Sequence, residues 1–296
     1  MKGLTCIAIS LILMFVSPAL AKQKALIVEG FDSPESITFD GEYYYVSNMG
    51  KNLAPTAKDN DGFISKLSRD GKVVDRHFLP RKGFLNSPKG LAIAGDILLA
   101  ADVDRLAGFD LKTGEKTIDI DFSSAGTKYL NAIAVKDENT VFVSASDAGK
   151  IFKVNICCTY HFEALITQIN GPNGLWWDED NSVLYVVGWG SGKPDGRVGA
   201  VTVGSAGAWY KTIGDYRGFL DGAVLENSAR LLFSDWIAFE KKGEVKAMNL
   251  GSGEVTTIPT PELIGGPADF YLNRFDATLA IPMMMEGKVM FVPYGG

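Results

Sequence analysis

The sequence predicts an all-β, six-bladed propeller, and three observations predict it. One arrangement recurs six times: a polar residue, then a short apolar run, then Asp, Glu or Asn at a turn. The polar residues are Glu35, Lys89, Asn131, Asn173, Asp221 and Asp269, with gaps of 54, 42, 42, 48 and 48 positions. Within each interval lie short runs rich in Val, Ile, Phe and Tyr, divided by Gly, Asp and Asn, and no stretch shows a helical period. A repeat of about 40 to 50 residues with four short strands is the signature of a propeller. Finally, the strand count closes. The sixth unit has three strands, and residues 24–29 read as one strand with no neighbour. Placed on the sixth unit, that strand closes the ring and covers an exposed sheet edge.

Taken in order, the chain opens with a segment to be set apart. Among residues 1–21 the only charge is Lys2, an apolar run extends from Leu4 to Val16, and Ala19-Leu20-Ala21 offers small residues for cleavage. This reads as a secretory signal peptide, too short in its apolar part to span a bilayer comfortably. The expected mature chain, residues 22–296, is one propeller domain, periplasmic or secreted, with no membrane attachment after cleavage.

The first unit starts at Glu35 with a strand to Phe39, turns at Asp40-Gly41, and continues through Tyr43–Ser47, Phe63–Leu67 and Val73–Phe78. Its loop from Asn48 to Asp61 is long enough to overhang one face. The Asp70-Gly71 pair marks a hairpin. The second unit runs from Lys89 through 96–100 and 105–110, the third from Asn131 through 140–143 and 149–154. The fourth runs from Asn173 through 183–187 and 196–201, the fifth from Asp221 through 230–233 and 243–248. The sixth runs from Asp269 through 277–281 and 287–292. Asn48, Asp102, Asp147, Trp189 and Asp235 follow second strands and are candidates for the channel mouth.

Composition narrows the function. Without Lys2 there are 28 basic against 35 acidic side chains, a net of −7. An acidic chain with no basic cluster is a poor partner for nucleic acid or an anionic membrane. A small molecule is the expected partner. Cys157 and Cys158 are adjacent, and a bridge between neighbours is strained. They read as two small residues of a strand, one inward and one outward, and not as a zinc site.

In a propeller the first strand of every blade lines the central channel, so the six polar positions form one ring. Three carboxylates held close cannot all stay ionised without a cation, a proton or Lys89 to balance them. The oxygens of Glu35, Asn131, Asn173 and Asp221 are hard donors, which suits Ca²⁺ with its six to eight oxygen ligands. Zinc would call for His or Cys, and His77 and His161 fall outside the ring. Asp269 is an additional channel residue. The competing reading is a polar plug in which Lys89 neutralises the acids.

Pro34-Glu35-Ser36, Gly171-Pro172-Asn173-Gly174-Leu175 and Leu220-Asp221-Gly222 carry a family likeness. Over almost all of residues 24–293 the sequence resembles the senescence marker protein/gluconolactonase family, regucalcin-like six-bladed propellers, in an exported bacterial branch. The resemblance implies a divalent metal, often calcium, held by Glu35, Asn131, Asn173 and Asp221, although Ala132 stands where an Asp is frequent. It implies Asp221 as general base and puts Lys89 where members carry a substrate-contacting Arg. The channel histidine of paraoxonase-like relatives has no counterpart here. The expected function is therefore metal-dependent hydrolysis of a lactone or related ester, with Asp221 and Lys89 catalytic. The alternative is a non-catalytic propeller that binds a ligand or a protein. A quinone-dependent dehydrogenase would want basic and aromatic groups over the channel, against which the acidic ring argues.

Overall fold

The computed structural model describes residues 24–205 and 207–295; the leader expected at 1–21 lies outside them. Six antiparallel sheets are arranged around one axis. The first consists of Pro34–Phe39, Tyr43–Asn48, Phe63–Ser68 and Val73–Leu79, from the axis outwards. The next four follow the same path from innermost strands Pro88–Ala94, Leu130–Asp137, Pro172–Asp178 and Leu220–Asn227. Neighbouring innermost strands contact each other around the circle, and Tyr271–Asn273 of the sixth blade meets Pro34–Phe39 of the first.

The ring closes as the strand count predicts. The sixth blade holds Tyr271–Asn273, Thr278–Met283 and Lys288–Pro293 from its own end of the chain. Its outer strand is Leu26–Glu29, antiparallel to the last strand from Leu26 opposite Phe291 to Glu29 opposite Lys288. One element goes beyond the four-strand repeat: Ile264–Gly265 pairs with Lys241–Asn249 of the fifth blade and steers the chain into the sixth.

Each blade is covered on both faces, which is why its strands read as continuous apolar runs rather than as alternating ones. Val141, Phe142 and Val143 are all buried. Val141 and Val143 pack towards the second blade beside Leu99 and Leu106. Phe142 packs towards the fourth, beside Leu184 and Val186. Burying each such side chain contributes about 1.5–3 kcal/mol, so the ring is held by six inter-blade cores rather than one central one. Helix is confined, among the described residues, to two three-residue 3₁₀ turns at Ser123–Ala125 and Met284–Glu286.

The cysteines depart from expectation. Cys157 and Cys158 lie outside strands, in the turn between Lys150–Asn155 and Phe162–Thr167. The chain reverses there with positive φ at Cys158 and Tyr160, which a strand does not allow. The Asn155 side chain, accepting from the Cys157 N–H at 3.1 Å, starts the turn. Both thiols are free, with their Sγ atoms 2.6 Å apart.

A candidate metal centre in the channel

The same local irregularity builds five of the six ring positions. In the first blade Pro34 faces Asn48 and Ile37 faces Val46, so Glu35 and Ser36 together oppose the single residue Ser47. The register slips identically between Pro88 and Leu91, Leu130 and Ile133, Pro172 and Leu175, and Leu220 and Ala223. Each is a β-bulge, which re-aims a side chain and leaves one backbone group unpaired. In three blades a buried serine across the bulge takes the unpaired N–H. Ser47, Ser144 and Ser234 Oγ accept from Ser36, Ala132 and Gly222 at 2.9, 2.9 and 2.8 Å.

In these five blades the second bulge residue is small, because it meets the next blade's backbone. A Cβ on Gly174 would stand 2.1 Å from the Asp221 carbonyl oxygen, and one on Gly90 2.4 Å from that of Asn131. The bulges thus aim Glu35, Lys89, Asn131, Asn173 and Asp221 into one cavity of about 250 Å³ at one end of the channel. All five are buried.

Asp269 is placed differently. The register slips by one here too, since Pro267 faces Met283 and Tyr271 faces Ala280, but the residue after the proline is Ala268, and Asp269 takes the second bulge place. Its backbone N–H donates to the Glu35 carbonyl at 2.9 Å. Its carboxylate accepts from Ser36 Oγ at 2.6 Å. It lines a second cavity of about 280 Å³ at the opposite end of the channel, walled otherwise by side chains such as Ile37, Leu91 and Leu175.

Four acceptor oxygens in the upper cavity are buried without a partner: Glu35 Oε2, Asn131 Oδ1, Asn173 Oδ1 and Asp221 Oδ1. Leaving such an atom unsatisfied costs about 1–3 kcal/mol. The other buried side-chain atoms in that state among the described residues, Trp177 Nε1 and Arg197 Nε, are donors and do not line this cavity. Acceptors alone cannot satisfy one another. What completes them is a cation or a set of donors, and carboxylate and amide oxygens are of the hard type that Ca²⁺ takes.

Lys89 does not supply that cation by contact. Its Nζ donates to the Pro55 and Ser87 carbonyls, both at 2.9 Å, and lies 5.2 Å from the centre of the Tyr129 ring. Burial pulls its pKa down to about 8, with Glu35 and Asp102 opposing. The carboxylates are displaced the other way. Burial, then the charges of Asp221 and Asp269, hold Glu35 well above the usual range. Burial and then Asp269 push Asp221 up to about 8, against the hydrogen bond from Trp236. Burial raises Asp269 to about 7, against the Ser36 hydroxyl. The site is short of positive charge.

The mouth is aromatic and aliphatic. Trp236 Nε1 donates to Asp221 Oδ2 at 3.0 Å, which fixes the carboxylate and leaves Oδ1 towards the cavity. Trp189, Trp236 and Phe239 stand mutually edge-on, with ring centres 5.1 to 5.9 Å apart. Met49, Leu53, Pro55 and Met284 complete the wall. The loop after Asn48 reaches over the channel, and its Ala54 carbonyl accepts from Ser87 Oγ at 3.2 Å.

Of the residues singled out for the mouth, Trp189 lines this cavity and Asp147 a smaller annex beside Tyr129. Asn48, Asp102 and Asp235 serve as latches instead. Asn48 Oδ1 accepts from the Asp32 N–H at 3.0 Å, and Asp102 from Ser87 N–H at 2.7 Å. Asp235 accepts from the Tyr216 hydroxyl at 2.7 Å and the Ile237 N–H at 2.9 Å. The residue one step further on, Met49 or Trp236, faces the cavity, because successive side chains of a strand point opposite ways. That position, immediately after the second strand, gives Met49, Trp189, Trp236 and Met284, and it is readable from the repeat.

No family model matches the chain, and no curated protein matches it in sequence. Solved structures resemble it in shape. Virginiamycin B lyase from Staphylococcus aureus is 13% identical over 90% of this chain and 98% of its own, with a TM-score of 0.61. The Cps50 (Swd1) β-propeller domain of Myceliophteria thermophila is 11% identical over 92% of this chain and 100% of its own, at 0.62. An auxiliary nutrient binding protein from Bacteroides thetaiotaomicron is 12% identical over 88% of this chain and 69% of its own, at 0.66. At these identities the likeness establishes the propeller fold and nothing finer.

Proposed function

We propose that the chain is a divalent-cation-dependent hydrolase of a lactone or related cyclic ester, with Ca²⁺ as the cation its donors suit best. One observation carries this reading: four buried, unpartnered oxygens, one each from Glu35, Asn131, Asn173 and Asp221, in a single cavity. These four residues would hold the ion and leave further coordination places for water and substrate. The same four are implied by the resemblance to the senescence marker protein/gluconolactonase family. When bound, such an ion supplies Lewis acidity to an ester carbonyl and raises the acidity of a water.

The chain's own groups do the rest. Asp221, held through Oδ2 by Trp236, presents Oδ1 and takes the proton of the attacking water. As the water oxygen bonds to the acyl carbon, the ring C–O bond breaks, and the proton passes to the departing alkoxide to give a hydroxy acid. Lys89 has two of its three N–H groups committed to backbone carbonyls. The third is available to the developing oxyanion or to a substrate carboxylate. Under the same reading the mature chain is exported, which N-terminal sequencing of the secreted or periplasmic fraction tests.

Metal content of the purified protein and lactone hydrolysis with and without chelator test the proposal. Activity that survives both metal removal and Asp221→Asn sinks it. A second reading, a non-catalytic propeller that binds a ligand or a protein, rests on the same four oxygens, which would hold an ion whether or not turnover follows. Tight calcium binding with no turnover across an ester panel would select it.

A further inference from the structure

The floor and the wall of the upper cavity differ in chemistry. Below are charges and amides. Above, Met49, Leu53, Met284, Trp236 and Phe239 offer no polar atom that is not already used, since the Trp236 N–H is committed to Asp221. Only Tyr129 and Trp189, at the boundary with the annex, bring further donors.

This wall is built to stay open. Phe239 is 57% exposed and Leu53 44%, although both are large and apolar. The turn that carries Phe239 is fixed at several points. Trp236 N–H donates to the Phe219 carbonyl at 3.1 Å, Asp235 Oδ1 accepts from Ile237, and Ile237 adopts φ +60°. Strain at a non-glycine residue persists where its surroundings over-determine it, and such positions cluster at ligand sites. The Phe239 ring lies 5.4 Å from Trp236 and 5.8 Å from Phe219. The aromatic surface is therefore presented to whatever enters the channel, not hidden from it.

We infer that the site takes a small cyclic ester with an apolar, preferably aromatic, ring system, and discriminates against polyhydroxylated lactones. This rests on the hydrolase reading for the ester and on the cavity wall for the ring. A hydroxylated ring placed against the wall would bury hydroxyls with no partner, each of which opposes binding. A flat apolar ring would pack edge-on or offset against Trp189, Trp236 and Phe239. A cavity of about 250 Å³ holds a molecule of one or two rings. Trp236 touches both parts of the site, so an occupied wall also fixes the orientation of Asp221.

The test uses three probes on the calcium-loaded full-length protein. Dihydrocoumarin and δ-gluconolactone are compared as substrates, and the non-hydrolysable lactam of dihydrocoumarin is titrated by tryptophan fluorescence. We expect kcat/KM at least tenfold higher for dihydrocoumarin, and saturable quenching by the lactam. Phe239→Ala, at an exposed position where folding is not at stake, should weaken lactam binding several-fold and shrink the preference through KM. Equal or greater kcat/KM for δ-gluconolactone overturns the inference while leaving the hydrolase reading intact. Saturable lactam binding with no turnover of either lactone overturns the hydrolase reading and supports the apolar ring site. Absence of lactam binding overturns the inference outright.

Discussion

Asp221 shows how one side chain can be tuned by its surroundings in two opposed directions. Its pKa stands at about 8 against an ordinary 3.8, because burial and the neighbouring Asp269 oppose its charge, while the Trp236 N–H favours it. A folded pKa above the unfolded one means that the metal-free fold keeps a proton which the unfolded chain releases. The stabilising contribution is full below about pH 3.8 and is lost as pH rises through about 8. Glu35 and Asp269 are raised in the same sense. Chelated protein should therefore lose melting temperature steadily between pH 5 and pH 9. Added calcium should restore more at pH 8.5 than at pH 6, since the ion competes with protons for the same oxygens. Scanning calorimetry across that range, with and without chelator, measures both. A chelated protein whose melting temperature is flat or rises contradicts the assignment. Trp236→Phe separates orientation from packing: it keeps the ring among Trp189 and Phe239 but removes the N–H. Loss of a group that orients a ligand costs about 10–100-fold in metal affinity, so calcium titration calorimetry should show a drop in that range with the fold intact.

At the scale of the strand, the bulge is the device that makes a channel residue into a ligand. Where it aims a polar side chain into the upper cavity its second residue is small: Ser36, Gly90, Ala132, Gly174 and Gly222. Gly174→Ala would drive a Cβ to 2.1 Å from the Asp221 carbonyl, so backbone rather than a side chain must yield. We expect a loss of about 3 kcal/mol together with weakened calcium binding, because the displaced peptide carries Asp221. Gly251→Ala is the control: it sits in an exposed turn at ordinary φ, where the nearest atom to an added Cβ is Asn249 Oδ1 at 3.4 Å. Urea unfolding of the two variants decides the point; equal stabilities would show that the inter-blade approach at Gly174 is slack. The repeat spacing made the six ring residues and the strand order legible, because a fixed place in each repeat becomes a fixed place on the axis. The equal 48-residue gaps hid that Asp269 stands two places after Pro267, where Glu35, Lys89 and Asn173 stand one place after their prolines, so that Ala268 takes the sixth ring place. The spacing also could not give Lys89 its partner Pro55, which lies in a loop 34 residues away. Trp236 was hidden for a different reason: aromatic residues in a propeller are mostly core, and only the position after the second strand, which it shares with Trp189, distinguishes it.

For the molecule as a whole, the six blades are nearly equivalent, and the seam between the last and the first is where the ring can open. Leu26–Glu29 pairs along its full length with Lys288–Pro293. The next residues then cross to the first blade, with Phe31 buried and its N–H donating to the Gly287 carbonyl at 3.1 Å. The strand itself carries little apolar burial: Leu26 and Ile27 are exposed. The Glu29–Lys288 ion pair lies at the surface, where such pairs contribute little. Its value is geometric. It ties one end of the chain to the other across the seam and occupies an edge that would otherwise template association with a second chain. Removing residues 22–29 while keeping Phe31 should cost about 2 kcal/mol, the net worth of a few backbone hydrogen bonds. That corresponds to a melting temperature roughly 4–8 °C lower. The metal ligands stay in place in the inner ring, so calcium affinity of the surviving fold should change little. Self-association should appear, because the uncovered Lys288–Pro293 edge offers unpaired N–H and C=O groups. Light scattering and melting curves on the truncated protein read both effects. A monomer that melts as the full chain does would mean the ring is held by its inter-blade cores alone, and that the N-terminal strand only covers an edge the molecule could leave bare.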